Sequence, residues 1–269
     1  MIESSLAFVC LLIFVGSSAA GTWLHERMAE HHRTRDAVDS VRLIVTILVT
    51  FAGLVLGLLV TSAKEDFDQH TALYERYGID LVELDRRLLE YGDQANPIRQ
   101  LLRSYTAAVY ALSWPDEPHP SGNYPTNMHP VAPGSDEMDG LTVLMNQMDD
   151  AIEDLHPADA YHERIAADLQ RQIHVVRDDR WQVIELSQSK VSAIFVGVLV
   201  MWLAITFVTF GLVSPNTKLV HVTVFLTAFA VSASLYLIMD LYTPLGGFIT
   251  VSSRPFQDAL WHMDHVQER

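Results

Sequence analysis

Residues 43–63 read LIVTILVTFAGLVLGLLVTSA, 21 residues without a charge between Arg42 and Lys64. A helix of about 20 apolar residues covers the ~30 Å hydrocarbon layer of a bilayer. Buried helices of soluble proteins rarely run so long without charge, so the stretch reads as a membrane span. Three more stretches share the property: residues 4–24, 191–213 and 219–239, the last with His221 near its start and Asp240 just past its end. A secretory signal opens with a basic region, whereas the early charge here is Glu3, so the first stretch reads as a retained helix.

The segment between the second and third spans carries the charge. Residues 64–190 hold 24 Asp and Glu against 11 Lys and Arg, a net of -13 out of -15 for the chain. Apolar residues there recur at spacings of three and four. Tyr74, Tyr77, Leu81, Leu84, Leu88 and Tyr91 form one stripe, which continues the second span beyond the membrane. Asn96-Pro97 predicts an N-cap followed by proline in the first turn, opening a helix with Ile98, Leu101, Leu102, Tyr105, Val109 and Leu112 on one side. Six prolines from Pro115 to Pro133, with Gly122 and Gly134, exclude a regular helix. Leu141, Leu144, Met145, Met148, Ile152 and Leu155 mark a third soluble helix. Ile165, Leu169, Ile173 and Val176 mark a fourth, which starts near Pro157 and continues through Trp181 and Ile184 into the third span. No useful strand-period segment is present. The expected fold is all-α: a polytopic membrane protein with four transmembrane helices and an inserted acidic soluble bundle. The expected divisions are 1–63 (spans one and two), 64–190 (the bundle) and 191–269 (spans three and four with a C-terminal tail).

Composition narrows the function. Cys10 is the single cysteine, so neither an intramolecular disulfide nor a cysteine metal cluster can form. No basic tract suits nucleic acid. Serine-hydrolase, zinc-protease, P-loop and dinucleotide motifs are absent, so the reading is a non-enzyme without cofactor. The expected partners are the bilayer, ions and further copies of the chain. Basic residues in short loops favour the cytoplasm. Arg27, Arg33, Arg35 and Arg42 lie between spans one and two, and Lys218 between spans three and four. This places the bundle on the extracytoplasmic side of the membrane.

Within the second span, Thr46, Thr50, Gly53, Gly57 and Thr61 share a face. Gly53 and Gly57 form a G-x-x-x-G pair, suited to close helix packing. A stripe of small and hydroxyl residues lines either a packing seam or, in a ring of copies, a pore. Asp240 sits either at the membrane interface or buried. Asp258, His262 and His265, at i, i+4 and i+7, are candidate ligands for a divalent transition metal. His31, His32 and Asp36 form a second, sparser group.

Two stretches together carry a family resemblance. One is VLGLLVTSAKEDFD at 55–68. The other runs DLYTPLGGFITVSSRP from Asp240 to Pro255, closing at Ala259-Leu260. The order of four spans, a large insert after the second and a D-x-x-x-P-x-x-G-x-x-x-V-S-x-x-P tail resembles the bacterial bestrophin-like (DUF4239) family. Asp240, Pro244, Gly246, Gly247, Ser252, Ser253 and Pro255 carry the tail. The resemblance implies a homo-oligomer, a pentamer in true bestrophins, conducting anions through a pore lined by second helices. It also implies a cytoplasmic insert, opposite to the arginine count. The second span departs from the family pattern in having Phe51 as its lone phenylalanine, and the acidic insert makes a cation pathway at least as reasonable as an anion one, so the resemblance gives anions where charge gives cations. The two functional readings are therefore an oligomeric channel and a membrane-anchored sensor or scaffold whose bundle binds a partner.

Overall fold

The computed structural model describes residues 2–27, 35–125, 140–187, 193–215 and 217–265. Its helices are α1 (Ile2–Arg27), α2 (Arg35–Tyr91), α3 (Asn96–Ser113), α4 (Gly140–Glu153), α5 (Ala160–Ser187), α6 (Ala193–Val213), α7 (Lys218–Leu241) and α8 (Arg254–His265). No strand occurs among the described residues. Two compact units divide the chain: Met1–Asp68 with Lys190–Thr250, and Gln69–Ser189 with Val251–Arg269.

Among the described residues four helices are long and apolar enough to cross a membrane, and their apolar stretches lie in the first unit. At most 28% of any span's apolar window is buried within the chain, so these helices do not form the core of a soluble fold. Phe8, Leu12, Phe195, Met201, Phe225 and Phe229 face outward, as lipid contact requires. Inside, Cys10, Phe14, Ala52, Leu199, Leu203, Phe207, Ala228 and Leu235 pack together, and Phe14 stacks on Phe207 at 5.1 Å. The tightest contact is backbone to backbone. A Cβ at Gly21 would lie 2.0 Å from the Val208 carbonyl oxygen, and one at Gly211 would lie 2.1 Å from that of Ser18. Only glycine permits α1 and α6 to approach this closely, which is how membrane helices gain dispersion contact without a hydrophobic drive. His25 Nδ1, 2.6 Å from the Leu212 carbonyl oxygen, joins the same two helices.

The second unit contains the bundle. All six apolar residues of the expected α2 stripe are buried, and α2 is uninterrupted from span to stripe. It ends at Gly92, whose φ of 96° is a left-handed value that favours glycine. The expected cap of the next helix is displaced by one residue. Ala95 occupies the N-cap position without a side-chain bond, because a 3₁₀ turn, Asp93–Ala95, leads straight into the helix. Leu101 is half-buried and Leu112 exposed, while Arg99 and every residue from Tyr105 to Tyr110 are buried, so the buried surface of α3 surrounds its second half instead of following the expected stripe. Leu155 falls beyond the end of α4. α5 starts at Ala160 rather than near Pro157, since Asp159 Oδ1 accepts the Tyr161 and His162 amides at 3.0 and 2.9 Å. The junction between α5 and α6 lies outside the described residues.

Tyr74, Tyr77, Trp114 and Phe256 build an aromatic cluster, with Tyr77–Phe256 edge to face at 5.3 Å. Beside it Arg99 Nε and Nη2 donate to Asp85 at 2.8 and 3.1 Å, both side chains 4% exposed. Breaking such a pair leaves one charge buried without compensation. Asp85→Ala is expected to cost about 3–5 kcal/mol, and Asp85→Leu with Arg99→Met to recover most of it. Thermal unfolding of the detergent-purified chain compares the two.

Candidate functional site

The membrane half of α2 has three longitudinal faces. Val45, Ala52 and Ala63 are buried against the other spans, and Ile47, Phe51, Leu54 and Leu58 form an exposed apolar face. The third face is Thr46, Thr50, Gly53, Gly57 and Thr61, all exposed. At ~100° per residue these five fall within about 80° of one another, roughly 140° round the helix from Ala52. A Cβ at Gly53 or Gly57 would meet nothing within 4 Å, so this G-x-x-x-G is not a packing seam within one chain. The contrast with Gly21 and Gly211 is sharp: those two fill a contact, whereas the α2 pair keeps a surface narrow and open. The hydroxyls of Thr46, Thr50 and Thr61 donate to the carbonyls of Arg42, Thr46 and Gly57 at 2.9, 2.8 and 3.1 Å. With each hydrogen engaged by its own helix, the oxygen lone pairs form the outward polar surface.

The tail divides between the two units. In the first, Asp240 is 1% exposed, and its carboxylate accepts the amides of Phe248 and Ile249 at 2.7 and 2.8 Å. The amides of Gly246 and Gly247 both donate to the Thr243 carbonyl at 3.1 Å. A Cβ at Gly247 would lie 2.8 Å from Asp240 Oδ1, so the carboxylate fills that space. Pro244 is half-buried in the turn. Asp240 is therefore buried within the protein and closes the reversal after α7.

In the second unit the rest of the motif grips α2 and α3. The Val251 carbonyl accepts Trp114 Nε1 at 2.9 Å. Ser252 Oγ accepts the Arg254 amide at 3.3 Å. Ser253 presents its carbonyl to the amides of Phe256 and Gln257, starting α8, and its hydroxyl donates to Glu117 Oε2 at 2.7 Å. Tyr110 Oη and Gln257 Nε2 donate to the same oxygen at 2.8 and 3.1 Å. The Ser253 hydroxyl, then the Tyr110 hydroxyl and the Gln257 side-chain amide, hold the Glu117 carboxyl below its ordinary value against the effect of burial. Pro255 lies on Gly78 of α2, where a Cβ would come within 2.6 Å of the proline ring.

Against known proteins, residues 12–256 match the family model of the bestrophin-like domain. The chain belongs to the bestrophin-like family. Two crystal structures of a bacterial bestrophin homologue from Klebsiella pneumoniae, both point mutants, share its fold. The first has a TM-score of 0.66 at 13% identity, covering 97% of this chain and 100% of that one. The second has 0.64 at 12%, covering 97% and 99%. No curated protein matches by sequence. This bestrophin-like chain is thus an all-helical membrane protein, and the structural likeness speaks to its fold.

The metal candidates are not brought together. Phe256, Ala259, Leu260 and Met263 are the buried face of α8, leaving Asp258, His262 and His265 on its exposed face. His265 stacks on Trp261 at 4.7 Å. Among the described residues no three His, Cys, Asp or Glu side chains converge on a metal position. His31, His32 and the side chain of Asp36 lie outside the described residues. Sequence reading missed Glu117, Tyr110 and Trp114 as the tail's anchor. Their signal was polar and aromatic groups at the end of an amphipathic helix, which nothing local pairs with a serine 136 positions away.

Ser253→Ala removes a hydrogen bond to an ionised group and is expected to cost about 1.5–3 kcal/mol at neutral pH. A carboxyl held low in the folded state stabilises above its unfolded pKa, and that contribution is lost as pH falls through the folded one. The gap between Ser253→Ala and the parent should therefore narrow below about pH 4, as read by unfolding across pH.

Proposed function

We propose that this bestrophin-like protein is a homo-oligomeric ion channel whose pore is lined by the Thr46–Thr50–Gly53–Gly57–Thr61 face of α2. The observation that carries the reading is the bare G-x-x-x-G. A small, polar stripe within a membrane span is left uncovered by its own chain, whereas Gly21 and Gly211 of the neighbouring spans are pressed backbone to backbone. Facing lipid, that stripe would gain little. Facing a water-filled axis among copies, it leaves room for an ion and supplies hydroxyl oxygens to it. Those oxygens are acceptors, and the insert carries a net -13; both favour cations over anions. A five-fold ring is the arrangement the family resemblance suggests.

A Cβ at position 57 meets nothing of its own chain within 4 Å, so Gly57→Leu is expected to fold normally and assemble. Cation flux into vesicles carrying the purified variant should drop at least about tenfold, with a dilution potential in the parent showing cation preference. Undiminished flux in Gly57→Leu, or a monomeric parent, rejects the pore; absence of flux in every common salt favours the membrane-anchored scaffold. We further propose that the bundle faces away from the cytoplasm of a bacterial inner membrane, from the four arginines between the first two spans. With Cys10→Ala as background, Ser121→Cys should react with an impermeant thiol reagent in intact cells from which the outer barrier has been removed. Labelling only after lysis puts the bundle in the cytoplasm.

A further inference from the structure

Asp179, on α5, is wholly buried at 0% exposure, and neither carboxylate oxygen has a hydrogen-bond donor. Arg76 Nη2 of α2 comes within 2.9 Å of Oδ1, but off the hydrogen-bond direction, so it supplies charge alone. The same guanidinium also serves Asp80, one turn along α2, whose Oδ2 lies 3.6 Å from Arg76 Nε. Asp80 Oδ1 accepts Gln172 Nε2 of α5 at 3.2 Å. Two carboxyls thus converge from two helices on one half-exposed cation. The neighbouring charges do not relieve them. Asp178 adds repulsion from α5 itself, Arg180 acts on the Tyr77 hydroxyl, and on α4 Asp149 is taken by Arg177. Asp85, equally buried in the same unit, shows the alternative, since two guanidinium nitrogens satisfy it in full.

A buried carboxylate without donors, beside another carboxyl, is relieved by binding a proton, which the pair then shares. Burial first, then the nearby Asp80 carboxyl with which a bound proton can be shared, outweigh the attraction of Arg76 and raise the Asp179 carboxyl to about 7. Arg76 forms part of the wall of a cavity of about 670 Å³, with Gln69, Leu73, Gln182 and Glu185, so the residue that contacts both carboxyls also borders a space large enough for water. No three metal-ligating side chains converge here among the described residues. The ligand chemistry is therefore that of a proton rather than a divalent cation.

We propose that Asp80 and Asp179 form a proton-binding site between α2 and α5, with Arg76 as counter-ion and the adjoining cavity as the proton's route. Loss of the proton leaves two carboxylates on one guanidinium and loosens the contact between the two helices. α2 also carries the Thr–Gly face, so the site would make that helix responsive to pH; this consequence rests on the pore reading, whereas the proton site does not.

The test uses the detergent-purified full chain and needs no conduction, so a failed pore and a failed proton site are told apart. A carboxyl raised in the folded state stabilises while it holds its proton. The parent should therefore lose stability as pH rises from about 4 to about 7 and level off above. Asp179→Asn mimics the neutral acid. Its Tm advantage over the parent should widen by about 4 °C or more between about pH 5.5 and pH 8.5. In the parent an infrared band of a protonated carboxyl should be present at about pH 6, vanish by about pH 9, and be missing from Asp179→Asn. If that variant does not fold, Asp80→Asn serves in its place: with one carboxyl of the pair gone, the band should titrate away at a lower pH than in the parent, and a band unchanged in its pH dependence overturns the sharing of the proton. A parent with no such band, or a Tm gap that does not change with pH, overturns the proposal.

Discussion

Hydrocarbon offers no hydrogen-bond partner to a peptide group, and every feature of the first unit answers to that constraint. A helix satisfies its own backbone, so four of them can stand in lipid with most of their apolar side chains outward. Since lipid tails compete equally for apolar contact, the helices gain from one another only where shape permits unusually close approach. Gly21 and Gly211 provide that approach between α1 and α6, backbone against backbone. The same constraint explains Asp240. At the end of a span, the chain must turn back with its amides satisfied, and one buried carboxylate takes two of them while Thr243 takes two more.

The tail is the place where this logic changes solvent. Up to Ile249 its polar atoms are used to close a reversal on itself. From Val251 to Pro255 the same motif turns to the bundle, giving a carbonyl to Trp114, a hydroxyl to Glu117 and a ring to Gly78. A contiguous motif thus serves two separate packing problems, which accounts for the mixture of residue types within it. Its polar members are positioning groups.

Much of this architecture was legible in residue order. Charge-free length has few explanations, so the spans could be read directly. The stripes at three and four residues gave the bundle helices because apolar side chains must share a face to be buried. Boundaries were less legible: the 3₁₀ turn before α3 and the Asp159 cap moved two helix starts by one to three residues, since capping depends on local backbone geometry that several residue types can supply.

Sequence by itself determined the class of protein, the number of spans, the acidic insert and the family motif, because each depends on composition or spacing along the chain. Tertiary structure decided which small residues are contacts and which are surface. Gly21 and Gly53 lie in similarly apolar helices, yet one meets the carbonyl of Val208 and the other meets nothing. It also decided that Asp85 is paired while Asp179, also an aspartate and buried alike, is left without a donor. Burial and partnership are properties of the space around a side chain, filled by residues far away in the chain, and no local pattern encodes them.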